Sequence, residues 1–256
     1  MTTRRLTLST IDGIPLVKPG DDVASLLFDA LSAADETLQD GDVLVIAQKI
    51  FSKAQDRFVA IADIVPSPQA EALAVEVDKD PRLVELILSE SNEVVRHRPG
   101  VLIVEHKLGF VMANAGIDAS NVQADEADAR VLLLPRDPDG DCARLRREVR
   151  RRVGAEVAVI MNDSVGRAWR SGTVGIAIGV AGLPAILDLR GDDDLFGRPL
   201  KVSIVGIADE LAAAASVLQG QAAEGAPAVI VRGYSVAGEP TDGQALIRDK
   251  SEDLFR

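Results

Sequence analysis

The sequence is poor in aromatic residues, which make up 3% of its 256 positions and include one tryptophan and one tyrosine. A core must therefore be built from Val, Ile, Leu and Ala. There is one cysteine, Cys142, so an internal disulfide is excluded and a reducing compartment fits. Histidine occurs twice, at His97 and His106, too few and too badly spaced for a zinc site beside a single cysteine. Lys and Arg number 28 against 40 Asp and Glu. The net charge of −12 argues against a broad surface for nucleic acid or an anionic membrane. No Gly-Lys-Ser/Thr closes a Walker A loop, and neither G-x-G-x-x-G nor a serine elbow is present. The longest apolar run, 174–187, carries glycines and a proline and is too short to span a bilayer. The N-terminus has no apolar h-region. These absences lead to the expectation of a cytoplasmic protein that binds neither nucleic acid nor membrane.

Hydrophobic residues make up 47% of the chain, enough for one large domain or two small lobes. Short apolar runs predict strands at 6–11, 43–47, 101–105, 109–113, 131–134, 157–161 and 228–231. Val23, Leu26, Leu27, Ala30 and Leu31 fall at helical spacing. Ser67-Pro68 and Asp80-Pro81 each start a helix with a capping side chain and a proline at the first helical position. A helix is expected over 141–153, with Asp141 as its cap, and an alanine-rich one over 210–218, capped by Asp209. The glycines of 172–182 point to close backbone packing in a strand. The tail from Ser235 reads as frayed.

Three of the strands run into turns rich in oxygen or nitrogen: 48–53, 114–121 and 162–170. Asp118 and Asp163 are the natural pair of metal carboxylates, with Ser164 and Gln221 as neutral oxygen donors. Such a set suits Mg2+ or Mn2+, which keep several waters and bind substrate phosphates. Each segment also has a plainer reading. Asp163 can form an Asx-turn at a strand exit, and 48–53 can be a solvated loop. The six arginines of the 141–153 helix can be a solvated face or a patch that steers an anion.

Taken together, two segments are more specific: A-N-A-G-I-D-A-S-N at 113–121 and N-D-S-V-G-R-A-W-R at 162–170. Both resemble the signature segments of the coenzyme F420-0:γ-glutamyl ligase family. G-I-P-L at 13–16, S-K at 52–53, G-x-A-I-G-x-A-G at 175–182, R-G-x-x-D-x-F-G-R at 190–198, G-Q-A-A-E at 220–224 and V-R-G at 231–233 extend the resemblance collinearly.

The resemblance implies a single ligase module with an α+β fold of mixed sheets and helices in two lobes, one of 1–89 plus 199–256 and one of 90–198. An intertwined homodimer is expected. It also implies an enzyme that uses GTP to join L-glutamate to the lactyl carboxylate of coenzyme F420-0, and then adds γ-linked glutamates through acyl phosphates. The ions would be Mg2+ or Mn2+ at two sites held by Asp118, Asp163, Ser164 and Gln221, with K+ a further candidate. Gly13, Ile14, Pro15, Leu16, Gln48, Lys49, Lys53 and Asn121 fall where the family contacts the nucleotide. So do Gln219, Gly220, Gln221, Ala222, Ala223, Glu224, Gly225 and Ala226. Asp118, Asp163, Lys53 and Arg167 are the candidate catalytic residues. Ser164 replaces a more usual threonine and keeps the hydroxyl, whereas Leu108 stands where many relatives carry histidine. The nitroreductase-like extension of some relatives is not expected. A GTP-binding, metal-dependent phosphohydrolase and a non-catalytic nucleotide-binding module are the rival readings.

Overall fold

In chain order the elements are β1 (Thr7–Thr10), α1 (Val23–Ala33), β2 (Val43–Ala47), α2 (Gln48–Ala54), β3 (Phe58–Ala60), α3 (Pro68–Val77) and α4 (Pro81–Ser89). Strands β4 (Ser91–Arg98), β5 (Val101–His106), β6 (Val111–Ala113) and β7 (Arg130–Leu132) follow, then α5 (Pro138–Val153), β8 (Ala158–Arg167) and β9 (Arg170–Ala181). The last are β10 (Leu187–Asp188), β11 (Ile204–Val205), α6 (Ile207–Gln219) and β12 (Ala228–Arg232). The structure, a computed structural model, describes residues 5–120, 129–235 and 237–255.

A five-stranded mixed sheet, ordered β1-β12-β2-β8-β9, organises the molecule. β2 and β8 run parallel, and the other neighbours are antiparallel. Side chains alternate across a sheet, so Leu44, Ile46, Val159 and Met161 pack on one face with α1 and α5, through residues such as Leu27, Leu145 and Val149. Val43, Val45, Ile160, Val229 and Val231 pack on the other against Leu211, Ala212 and Ala215 of α6. Burial on both faces explains why these strands read as continuous apolar runs. Helices α3 and α4 form a separate core with β5, around Ala74, Val77, Val84, Ile87, Leu102 and Val104.

The central sheet therefore draws β2 and β12 from one of the two expected segments and β8 and β9 from the other. Mixed α/β architecture with several sheets agrees with the expected class.

Local expectations met different fates. Ser67 Oγ accepts from Ala70 N–H at 3.2 Å and Asp80 Oδ1 from Arg82 N–H at 2.8 Å, as expected of caps. Residues 48–53, read as a turn, form helix α2. Strand β8 does not stop at Met161; it continues to Arg167 by pairing with β9. Helix α5 starts at Pro138, capped by Asp137, which accepts from Gly140 N–H at 3.0 Å; Asp141 is inside it. Asp209 is likewise inside α6, and its carboxylate accepts from Ala177 N–H at 2.9 Å. The tail is anchored rather than frayed: Gly243 N–H donates to Asp139 at 2.8 Å, and Lys250 lies 2.8 Å from Glu105. No described helix is long and apolar enough to cross a membrane.

Candidate active site

Strand register builds the site. Ala47 pairs with Asn162 across the parallel β2–β8 ladder, so β2 ends beside Asn162 while β8 runs on with β9. The residues after Ala47 and those from Asn162 onward are thereby brought side by side, at the carboxyl ends of parallel strands where ligands commonly bind. β12 runs antiparallel to β2, with Ala228 opposite Ile46, which brings the loop after α6 to the same edge. β1 in turn ends beside the start of β12, and Ile11 N–H donates to Ala228 O at 2.9 Å. Four distant segments thus meet around a cavity of about 620 Å³.

Ile14, Pro15, Leu16, Gln48, Lys49, Lys53, Asp118, Asp163, Ser164 and 219–226 line this cavity, as the sequence reading grouped them. Gly13 is in the preceding turn at φ 83 and is not part of the lining. Arg167 is not part of it either: it pairs with Arg170 at the end of the β8–β9 hairpin, and its guanidinium donates to Ser171 O at 3.4 Å. Asn121 lies outside the described residues. Thr173, Val17, Ala47, Ile50 and Pro227 also line the cavity and were missed. Thr173 had no local signal, since it arrives through the hairpin register opposite Gly166.

Asp118 enters from the smaller core, held by backbone hydrogen bonds to Leu132 in both directions. Its carboxylate lies 2.6 Å from Lys49 Nζ and accepts from Ser120 N–H at 2.5 Å. Burial pushes its pKa up, but the hydrogen bonds from Lys49 and Ser120 prevail and hold it below the usual carboxylate range. Asp163 goes the other way. Burial raises it from 3.8 to about 6, with Asp118 adding to the rise; Ser164 N–H, Lys49 and Gln48 offset only part of this. Lys53 is depressed, first by burial and then by Lys49, with Asp118 opposing.

The supports are fixed. Gln48, buried, accepts from Ser52 Oγ at 2.7 Å. Asn162 Nδ2 donates to Gln219 Oε1 at 2.6 Å, and Gln219 Nε2 donates to the carbonyls of Val45 and Pro227, both at 3.2 Å. One amide therefore ties the loop after α6 to β2 and β8.

The donor set fits a hard cation. Among the residues that border the cavity, Asp118 and Asp163 offer carboxylates, Ser164 a hydroxyl and Gln221 an amide oxygen, and an ammonium already sits against Asp118. Among the described residues no group of three or more His, Cys, Asp or Glu could hold a metal. A cation at Asp118 and Asp163 would then complete its shell with Ser164, Gln221, water and substrate oxygens, as Mg2+ does.

A family model described as F420-0:Gamma-glutamyl ligase matches residues 13–233. The coenzyme F420:L-glutamate ligase of Methanothermobacter thermautotrophicus is 47% identical over 253 residues, covering 98% of this chain and 99% of that protein. The protein of the same name from Methanopyrus kandleri is 46% identical, covering 96% and 97% of the two chains. That of Archaeoglobus fulgidus is 41% identical, covering 98% and 97%. The match spans every segment that borders the cavity, and this chain belongs to the F420-0:γ-glutamyl ligase family.

Proposed function

We propose that the chain is a GTP-dependent ligase that joins L-glutamate to the lactyl carboxylate of coenzyme F420-0 and then adds further γ-linked glutamates. A homodimer of two-lobed subunits is part of this reading. The observation that carries it is the convergence of Asp118, Asp163, Lys49 and Lys53 on one cavity inside the family-matched span.

A carboxylate is a poor acyl donor. Its oxygen attacks the γ-phosphorus of GTP, GDP leaves, and an acyl phosphate results. The amine of glutamate, having lost a proton, attacks the acyl carbon; phosphate leaves and an amide forms. Residues Asp118, Asp163, Ser164 and Gln221 would hold the divalent ions, with K+ a further candidate. Bound Mg2+ or Mn2+ supplies positive charge against the repulsion between triphosphate and carboxylate. Lys49 and Lys53 add to that charge in a partly dry cavity, where each interaction is stronger than in water. Gln219 and Asn162 hold the loop that borders the nucleotide in place. Positioning and electrostatics suffice, and no covalent enzyme intermediate is required.

Incubation with GTP, Mn2+ or Mg2+, L-glutamate and coenzyme F420-0 tests this by product mass. The expected products are F420 species heavier by whole glutamyl residues. GTP cleavage with no such product would favour the phosphohydrolase.

A further inference from the structure

Beyond the cavity the β8–β9 hairpin continues and ends in a two-residue turn, Ala168-Trp169, between the paired Arg167 and Arg170. Trp169 is the only tryptophan in the chain and adopts φ 63. That region is costly for a bulky side chain, and glycine or asparagine is the usual choice at such a turn. The residue is also 88% exposed. The fold gains little from tryptophan here, since its backbone is strained and its apolar surface is left in water.

Its ring has company. The centroid of Phe255 lies 6.2 Å away with the planes tilted by 54°, and Phe255 is itself 49% exposed. The Arg248 guanidinium stands 6.0 Å from the Phe255 centroid. Two open rings beside a cation suit a planar, anionic heteroaromatic ligand.

Position indicates which ligand. Ser164 and Thr173, at the base of the hairpin, line the cavity. Past them, Gly166 leaves open space where a Cβ would stand. Strand β8 ends at Arg167, so at about 3.3 Å per residue it covers roughly 10 Å from Ser164, and Trp169 stands in the turn just beyond. The acceptor has this layout: a carboxylate at one end, then a phosphodiester and a flexible linker, then a flat deazaflavin ring. The other planar ring in the reaction is guanine. The segments assigned to the nucleotide border β1, β12 and β2, whereas the hairpin is at the opposite edge of the sheet.

We propose that Trp169, backed by Phe255, is the stacking platform for the deazaflavin ring, holding it at the hairpin tip while the lactyl carboxylate enters the cavity that Lys49 and Lys53 border. This rests on the proposed ligase function.

Trp169 reports on itself, because no other tryptophan emits. Titration of coenzyme F420-0 into the wild-type protein should quench its fluorescence saturably, and GTP should leave it unchanged. Trp169→Gly should raise the apparent KM for F420-0 by about tenfold or more. The KM for GTP should stay within about twofold, and Tm should not fall because glycine relieves the turn. Trp169→Phe should retain most of the affinity. Saturable quenching by GTP would assign guanine to the platform and overturn the proposal. An unchanged KM for F420-0 in Trp169→Gly overturns it too, as does a drop in assembly mass, which would make Trp169 a subunit contact. Wild-type protein that ligates without quenching refutes the platform alone. Quenching by F420-0 with no amide product refutes the ligase reading and supports the platform.

Discussion

Burial holds the Asp163 carboxyl near 6, and Ser164 N–H, Lys49 and Gln48 only partly offset it. Its folded pKa is therefore raised above the unfolded 3.8. Below about pH 4 both states carry the neutral acid and no cost arises. Between the two values the unfolded chain ionises first, and above about 6 the folded protein bears the whole penalty. A rise of this size corresponds to roughly 3 kcal/mol at most. Without divalent cation, Asp163→Asn should then melt at a higher temperature than wild type at pH 7.5, with the gain vanishing near pH 4. Calorimetric melts at both pH values check this, and an equal Tm at pH 7.5 would count against the buried charge. The same variant, and Asp118→Asn, should lose ligation, because each removes a charge that the proposed function assigns to the cation, without changing volume; product mass at saturating Mn2+ is the readout. Lys53→Ala should weaken GTP by about tenfold or more, the value of a charged hydrogen bond. Isothermal titration with GTP tests that, and an unchanged Kd would take Lys53 out of the nucleotide site.

Single elements are held in place by individual contacts. Gln219 joins Asn162, Val45 and Pro227 through one side-chain amide. Gln219→Ala should cost about 1–3 kcal/mol, since it leaves buried partners unpaired. It should also raise the Kd for GTP, because the 220–226 loop loses its anchor. A melt combined with titration separates the two effects, and normal GTP binding in a destabilised protein would make Gln219 purely structural. Helix α6 crosses β9 so closely that a Cβ on Gly175 would meet Ala212 O at 2.7 Å. Gly175→Ala should accordingly lower stability by about 1–3 kcal/mol in denaturant titration. Five of the six arginines of α5 have acidic partners. Arg144 pairs with Asp141 and Asp137, Arg146 and Arg150 with Glu156, Arg151 with Glu148, and Arg152 with Glu148 and Asp22. These pairs favour the reading of a solvated, charge-paired face.

For the whole molecule, synthesis and hydrolysis differ in what GTP turnover requires. If the acyl phosphate is on the path, GTP and metal alone should release little phosphate. Addition of both F420-0 and glutamate should release one phosphate per amide formed. A phosphate assay run beside product mass measures the ratio, and equal release without the acceptor would contradict the ligase. At this scale local sequence is least informative. Helix α2 begins at Gln48 with no capping side chain, because Ala47 occupies the cap position, so 48–53 resembled a turn. Strand β8 continues through Asn162, Asp163 and Ser164, whose polar side chains resembled a strand exit; pairing with β9 carries the strand on. The tail is pinned by Asp139, 104 residues upstream of Gly243, a link that polar composition could not reveal.

The sequence by itself determined the family and supplied the donor groups. Its oxygen donors, lysines and ordered motifs are local properties of the chain, as are the caps at Ser67 and Asp80. Tertiary structure decided which of those groups meet. Asp118 and Asp163 share a cavity because Ala47 pairs with Asn162 in a parallel ladder and Leu132 holds Asp118 by its backbone. It also decided their charge states: Lys49 holds Asp118 low, while burial lifts Asp163. The physical reason is that register and desolvation depend on partners elsewhere in the chain, and a single strand's alternation is compatible with many such partners.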